Sequence, residues 1–248
     1  MGASAPVATR RRKEMPKNAR NLEVSDKLKV LVYGKSGTGK TTFACSFPKP
    51  YVFDFDNGML SQRGRDVDFD TFSNYQEFEL RLNEIVKNCP YKTVVIDSLT
   101  TMQELLMDRL LSLSSRKVAT KQEWLVLIET MKSLLVRLTH SPSIKNVVMI
   151  AHERTTQDQL SGEVLVEPVT YGKQTFSELL PLWFDECYRA RVVRNKEGKP
   201  VYQMMVKPDI RYFARTRILP PDVDFFEWSI NDNPYEKMVR MSGGGDAR

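Results

Sequence analysis

The chain has 248 residues, of which 41% are hydrophobic, and its formal net charge is +6. This length and apolar content are sufficient for one substantial core, so we expect one domain with tails. No apolar run approaches the roughly 18 to 20 residues that span a bilayer, and the first residues lack the apolar segment of a signal peptide. The three cysteines are far apart and form no C-x-x-C pattern, which argues against a disulfide framework and a zinc site. We therefore expect a cytoplasmic protein without a membrane partner.

The positive charge is concentrated in two stretches of the chain. Residues 10–20 carry a net charge of +5 and residues 189–217 carry +7, so the remainder is net acidic. This concentration is typical of a surface that binds a polyanion, although solvated tails and faces often have a similar composition. We expect nucleic acid as a partner.

Residues 1–27 mix alanine, proline, serine, arginine and lysine with almost no apolar periodicity. Such a segment cannot bury enough apolar surface to offset the entropy that is lost on ordering. The sequence predicts a flexible basic arm over residues 1–27, ahead of a folded core over residues 28–217.

A glycine-rich turn of the form G-x-x-x-x-G-K-[ST] follows the apolar run 29–33, and a helical pattern follows the turn. Glycines let the backbone curl so that its N–H groups point at phosphate oxygens, and the helix N-terminus adds positive charge. Lys40 of this motif is expected to reach the β- and γ-phosphates, and Thr41 is expected to bind Mg²⁺. A chance match on a surface turn is the alternative, but the flanking strand and helix favour a site for ATP and Mg²⁺. The predicted nucleotide-binding residues are Gly34, Lys35, Ser36, Gly37, Thr38, Gly39, Lys40, Thr41 and Thr42.

Three further apolar runs alternate with helical patterns. The runs are predicted strands at residues 51–55, 92–96 and 146–151, and helices are predicted over residues 74–86, 99–113 and 122–138. Continuous apolar strands that alternate with helices indicate a parallel sheet covered on both faces. The predicted fold is an α/β sandwich.

Polar residues follow these strands at Asp56, Asp97 and His152. Ligands of parallel sheets bind at the carboxyl ends of the strands, so these residues and the phosphate loop are expected to converge on one nucleotide. Asp97 is predicted to hold Mg²⁺ through water, with Thr41 as the partner ligand. The alternative for Asp97 is a structural cap on the helix that follows.

Hydrolysis requires a group that orients or deprotonates water. Many phosphate-loop ATPases place a glutamate directly after the aspartate that corresponds to Asp97 here. Ser98 occupies that position here. The second strand supplies Asp54 and Asp56, and we favour Asp56 because it lies nearer the carboxyl end, although a solvated turn acid is the alternative. His152 is interpreted as a sensor of the γ-phosphate, with a structural histidine as the alternative. The predicted catalytic set is Lys40, Asp56, Asp97 and His152.

The pattern of apolar and polar residues changes beyond His152. Residues 153–174 are polar and are predicted to form a long loop or a loose hairpin. A short helix is predicted over residues 176–182, and two apolar runs around the turn 195–199 predict an antiparallel hairpin. Residues 218–248 are predicted to form a C-terminal extension that ends in a flexible tail.

These motifs resemble those of the RecA-like ATPases, and among them the phage-encoded nucleotide-binding proteins of recombination and single-strand annealing. The resemblance rests on residues 34–42, 46–50, 53–58, 94–98 and 149–154, and it covers residues 28–217. It implies a RecA-like P-loop NTPase fold, with a mainly parallel central sheet flanked by helices and a C-terminal antiparallel hairpin. It also implies Asp56 as the catalytic acid, His152 as the sensor and residues 153–174 as the loop that meets DNA. For a phage-encoded protein it implies the cytoplasm of the bacterial host cell.

In such proteins a basic residue of a neighbouring subunit stabilises charge on the γ-phosphate. Arg215 and Arg217 alternate along the chain, so both can point one way from a strand, and they are candidates for this finger or for contacts to the DNA backbone. The favoured function is a DNA-dependent ATPase that binds single-stranded DNA and promotes annealing or strand exchange. A homo-oligomeric ring or filament and a single-strand-binding protein are the further partners expected. The alternative is an ATP-switched module in phage assembly or packaging without recombinase activity.

Overall fold

The computed structural model describes residues 27–157, 162–170 and 180–243. The strands in these ranges are β1 (Leu28–Tyr33), β2 (Pro50–Asp54), β3 (Asp68–Thr71), β4 (Thr93–Asp97), β5 (Asn146–Ala151), β6 (Glu153–Gln157), β7 (Val164–Pro168), β8 (Glu186–Arg194), β9 (Pro200–Met205) and β10 (Phe225–Trp228). The helices are α1 (Lys40–Ala44), α2 (Tyr75–Lys87), α3 (Leu99–Ser114), α4 (Lys121–His140) and α5 (Pro234–Met241). Two short 3₁₀ helices span Met59–Gln62 and Leu180–Trp183.

One sheet of eight strands crosses the molecule in the order β10-β9-β8-β1-β5-β4-β2-β3. The six strands from β8 to β3 pair in parallel, whereas β9 and β10 are added antiparallel. All residues of β2, β4 and β5 are buried, which explains why these strands are apolar without alternation. The mainly parallel sheet with a C-terminal antiparallel hairpin, predicted from the sequence, is confirmed.

The two faces of the sheet are covered by different apolar layers. Helices α2, α3 and α4 pack on one face around Phe53, Phe78 and Met131. Helices α1 and α5 pack on the other face, where an aromatic cluster around Phe43 includes Trp228 of β10. Alternate residues of the central strands pack into one layer or the other, because successive side chains of a strand point to opposite faces.

The order of the strands places the carboxyl ends of several strands at one edge of the sheet. Strand β5 lies between β1, which leads into the phosphate loop, and β4, which ends at Asp97. Helix α3 begins directly after β4, with Ser98 as its N-cap, and the Ser98 hydroxyl accepts a hydrogen bond from the backbone N–H of Thr101 at 3.4 Å. The N-terminus of α3 therefore lies at the same edge as the phosphate loop.

The segment after β5 forms a two-stranded antiparallel ribbon, β6–β7, apart from the main sheet. Its pairs run from Glu153 opposite Pro168 to Gln157 opposite Val164. Of the two forms predicted for residues 153–174, the structure has the hairpin. Residues 158–161 and 171–174 of this stretch, and 176–179 of the short predicted helix, lie outside the described residues, as do residues 1–26 of the predicted arm and residues 244–248 of the predicted tail.

The C-terminal extension that we predict for residues 218–248 packs on the core in its described part. Strand β10 pairs with β9, and Tyr235 of α5 lies against Phe47, with 4.5 Å between the ring centroids. Among the helices of the described ranges, none is long and apolar enough to cross a membrane.

Candidate nucleotide-binding and catalytic site

The phosphate loop requires glycine at two positions where the backbone passes close to other parts of the fold. Gly34 has a φ of 155°, and a Cβ atom there would lie 2.5 Å from the carbonyl oxygen of Ala190 in β8. Gly39 has a φ of 82°, and its Cβ would lie 2.7 Å from the ring of Tyr202 in β9. Both positions combine a left-handed backbone with close packing, so any larger residue would displace the loop.

Lys40 is buried beneath the loop and donates hydrogen bonds to loop carbonyl oxygens. Its Nζ lies 2.9 Å from the Gly34 oxygen and 2.7 Å from the Lys35 oxygen. Burial lowers the pKa of Lys40, and the carboxylates of Asp97 and Asp56 act in the opposite direction. The ammonium group has three donor hydrogens in all, and phosphate oxygens are acceptors well suited to it. The Nζ of Lys40 is thus held at the position where a nucleotide's phosphates would enter the loop.

Thr41 and Asp97 form a direct contact between the loop and β4. The Thr41 hydroxyl donates to Asp97 Oδ2 at 2.6 Å. In the described ranges, no three His, Cys, Asp or Glu side chains lie close enough together to bind a metal ion. This donor set fits Mg²⁺, which typically takes one or two protein oxygens and completes its octahedral shell with phosphate oxygens and water. Thr41 and Asp97 would hold the ion, and its charge would offset negative charge on the phosphates.

The environment of Asp97 predicts a pH dependence of stability in the absence of Mg²⁺ and nucleotide. Burial raises the pKa of Asp97 from 3.8 to about 6, and the nearby carboxylates of Asp56 and Asp54 add to this effect. Between these two values the folded protein keeps a proton that the unfolded chain has released. The contribution of Asp97 to the free energy of unfolding therefore falls as pH rises through this interval, by at most about 3 kcal/mol.

Urea denaturation of the wild type and of Asp97→Asn at several pH values, with EDTA present, measures this contribution. We expect the stability of the variant relative to the wild type to increase between about pH 4 and pH 6 and to be constant above that range. A relative stability that does not change with pH would show that Asp97 does not titrate in this interval.

Asp54 and Asp56 have different environments, although only one residue separates them. The Asp54 carboxylate is buried and accepts hydrogen bonds from the backbone N–H groups of Asp56, Gly58 and Met59, at 3.2, 3.1 and 3.3 Å. It therefore organises the turn that follows β2. Asp56 is exposed and directs its carboxylate at the side chains of neighbouring elements.

Three side chains converge on the Asp56 carboxylate. The hydroxyls of Ser98 and Thr101 both donate to Oδ1, the first at 3.1 Å. Nε2 of His152 lies 3.1 Å from Oδ2. Two residues predicted from the sequence are thus brought into contact across three strands, and the two hydroxyls of α3 are additions that the sequence reasoning missed. The only sequence signal for them was their position shortly after Asp97, at the start of the predicted helix.

His152 links this site to the β6–β7 hairpin. Its backbone N–H donates to the Thr100 hydroxyl at 3.2 Å, and its carbonyl oxygen accepts from the N–H of Val169 at 2.7 Å. The Thr100 hydroxyl donates in turn to the carbonyl oxygen of Val169 at 3.1 Å. A displacement of His152 would therefore shift the backbone at the end of β7.

A buried ion pair beside the loop was also missed by the sequence reasoning. Glu153 accepts a hydrogen bond from Nε of Arg189 at 2.9 Å, and both side chains are largely buried. The Arg189 guanidinium stacks on the ring of Tyr212, 4.1 Å from its centroid. Arg189 lies opposite Tyr33 in the register of β1 and β8, directly before the phosphate loop. The pair joins β8, the β6–β7 hairpin and the segment after β9.

The structure does not bring the two finger candidates to the phosphate loop of their own chain. Arg217 forms an ion pair of 2.6 Å with Asp185, which precedes β8 at the amino end of the parallel strands. Arg215 pairs through its backbone with Cys187 near the start of β8. The phosphate loop lies at the opposite, carboxyl end. Their action in a neighbouring subunit stays a prediction.

The fold and the side chains at the carboxyl ends of β1, β2, β4 and β5 define a P-loop nucleotide-binding domain of the ATPase type. The family model of the AAA domain matches residues 26–218. The chain therefore belongs to the AAA domain family, and the matched segment contains every candidate site residue described above. A comparison with curated proteins found no significant match.

Proposed function

We propose that this protein hydrolyses ATP in a Mg²⁺-dependent reaction that is stimulated by single-stranded DNA. The observation that carries the ATPase part is the convergence of Lys40, the Thr41–Asp97 pair and the Asp56–His152 pair at one edge of the sheet. These are a cation for phosphate, oxygen ligands for Mg²⁺, and an acid beside a polar sensor. A phosphoryl-transfer site needs this combination, because such catalysis depends mainly on positioning and charge stabilisation.

In the proposed reaction Asp56 orients a water molecule and accepts its proton as the water oxygen attacks the γ-phosphorus. The bond from that phosphorus to the β–γ bridging oxygen breaks, and its electron pair leaves with ADP. Lys40 stabilises the charge that develops on the transferred group. His152 contacts the γ-phosphate in the ATP state and returns to Asp56 when phosphate leaves.

The contacts of His152 support a route from the nucleotide to the surface. Its backbone is bonded to Thr100 and Val169, so movement of His152 would shift the end of the β6–β7 hairpin. We propose that this hairpin has one position with ATP and another after hydrolysis. A polymer bound beside it would be gripped and released in the same cycle.

The charges of the β8–β9 hairpin support a polyanionic partner. Arg194, Lys196 and Lys199 are exposed near its turn, and Arg194 and Lys196 form no ion pair with a described residue. With the basic stretch 10–20, these cations provide contacts to phosphates that do not depend on base sequence. The proposed outcome is annealing or strand exchange in recombination by a ring or filament, in contact with a single-strand-binding protein, inside a bacterial host cell infected by phage.

One observation favours the second candidate, an ATP switch in phage assembly or packaging. Within the basic stretch 189–217, Arg189, Lys207 and Arg217 are neutralised by Glu153, Asp224 and Asp185. The charge available to a polymer is therefore smaller than the composition suggests. Binding to single-stranded DNA separates the two candidates.

We expect the protein to bind single-stranded DNA with ATP and Mg²⁺ present, and its affinity to fall steeply as salt rises. The slope of the logarithm of the binding constant against the logarithm of the salt concentration becomes more negative by about 0.7 for each phosphate contacted. Fluorescence anisotropy with a labelled oligonucleotide should give a less negative slope for the double variant Arg194→Ala/Lys196→Ala. The double variant Lys87→Ala/Lys121→Ala, which removes two charges elsewhere, is the control and should keep the wild-type slope. Absence of binding at low salt would exclude the recombination function.

A further inference from the structure

Thr101 makes a contact that its place in helix α3 does not require. It lies in the first turn of α3, and its hydroxyl donates to Oδ1 of Asp56, which is on a different element. The Thr101 hydroxyl also lies 3.2 Å from the Ser98 hydroxyl. The capping bond of the helix uses the Thr101 backbone N–H and not its hydroxyl. The hydroxyl is thus not part of the capping bond of the helix, and it is directed at Asp56.

The two hydroxyls give the two oxygens of the Asp56 carboxylate different surroundings. Oδ1 accepts from both Ser98 and Thr101, whereas Oδ2 faces Nε2 of His152 at 3.1 Å. A carboxylate has about four lone-pair sites, so two donors on one oxygen leave the acceptor capacity of the other for an outside hydrogen. They also fix the rotation of the carboxylate about its Cβ–Cγ bond.

We propose that Thr101 is a positioning residue that orients the Asp56 carboxylate, so that Oδ2 is the oxygen presented to the attacking water. This inference rests on the proposed ATPase function. In the proposed site the nucleotide is bound by the loop, Lys40 and the Thr41–Asp97 pair. Among the described residues, no hydrogen bond joins these groups to the Thr101 hydroxyl. Loss of the hydroxyl should therefore lower the rate of the chemical step and leave the binding of ATP unchanged.

Ser98 is less suitable as the test position, although it contacts the same oxygen. Its side chain is the N-cap of α3, and it follows Asp97 directly. A substitution there would change helix stability and the Asp97 environment together with the contact to Asp56. Thr101→Val replaces the hydroxyl by a methyl group, keeps the shape of the side chain and leaves the cap in place.

The experiment measures kcat and KM for ATP in the full-length wild type and in Thr101→Val, Thr101→Ser and Thr130→Val. Thr130 is the matched control because its hydroxyl is bonded to the carbonyl oxygen of Val126 within α4, away from the site. We expect Thr101→Val to lower kcat by about 10- to 100-fold with KM within twofold of the wild type. Thr101→Ser should recover most of the rate, and Thr130→Val should match the wild type.

The outcomes separate this inference from the proposed function. A wild type without ATP turnover, with or without single-stranded DNA, would refute the ATPase itself. A wild type that turns over ATP, with Thr101→Val at the same kcat, would refute only the role of Thr101. Equal losses in Thr101→Val and Thr101→Ser would also refute it, since the serine keeps the hydroxyl. A fluorescent ATP analogue bound equally by all four proteins would show that the loss lies in the chemical step.

Discussion

Replacement of Lys40 by alanine is expected to reduce ATP turnover by about 100-fold or more. Lys40 is buried under the loop, and its Nζ is within hydrogen-bond distance of two loop carbonyl oxygens. Alanine removes the cation that compensates the phosphate charge, and it also removes the bonds that tie the loop to its helix. Both losses act on the bound phosphates and on the transition state. Phosphate release at saturating ATP and Mg²⁺, with and without single-stranded DNA, measures the effect.

Lys121→Ala is the control for this substitution. Lys121 is exposed at the start of α4, where a positive charge near a helix N-terminus contributes no stability. We expect this variant to turn over ATP at the wild-type rate. If Lys40→Ala retained the rate of Lys121→Ala, the loop would not be the site of hydrolysis, whatever it binds.

Asp56→Asn is expected to lower kcat by about 100-fold while nucleotide binding persists. The Asp56 carboxylate contacts side chains of α3 and His152, and no backbone group in the described structure is bonded to it. Asparagine keeps the size of the side chain but cannot accept a proton from water. Single-turnover hydrolysis and binding of a fluorescent ATP analogue, measured on the same preparation, separate the chemical step from affinity.

Asp54→Asn is the matched comparison, because the two acids differ in what they bind. The Asp54 carboxylate accepts three backbone N–H groups in the turn after β2. Substitution at Asp54 should therefore lower the free energy of unfolding by about 1 to 3 kcal/mol. An Asp54→Asn protein with wild-type stability and a kcat well below that of Asp56→Asn would identify Asp54 as the acid.

Much of the fold could be predicted because its signals are local. The runs 51–55, 92–96 and 146–151 coincide with β2, β4 and β5 to within one residue, since strands buried on both faces must be apolar throughout. Strand β3 was not predicted, because Asp68–Thr71 is a short edge strand that keeps polar residues exposed. Strand β10 was missed because it is only four residues long and lies in a segment interrupted by prolines.

The candidate site was predictable in its members but not in its contacts. Asp97 ends a strand, and Lys40, Thr41, Asp56 and His152 follow strands. Chain direction alone sends the ends of parallel strands to one edge. Which acid faces the site depends on side-chain direction after β2, and only the contacts of Asp54 and Asp56 distinguish the two. The composition of residues 189–217 likewise could not show that three of its cations are paired with acids distant in sequence.

The amino-acid sequence by itself determined the phosphate loop, the parallel α/β core and the residues at the strand ends. These follow from short-range rules, namely glycine where the backbone must curl, apolar runs where a strand is covered on both faces, and polar residues where a strand meets solvent. The tertiary structure alone decided that Ser98 and Thr101 hold Asp56, that Glu153 neutralises Arg189, and that Arg217 lies at the opposite edge from the loop. Such contacts join residues far apart in the chain, so no local pattern records them.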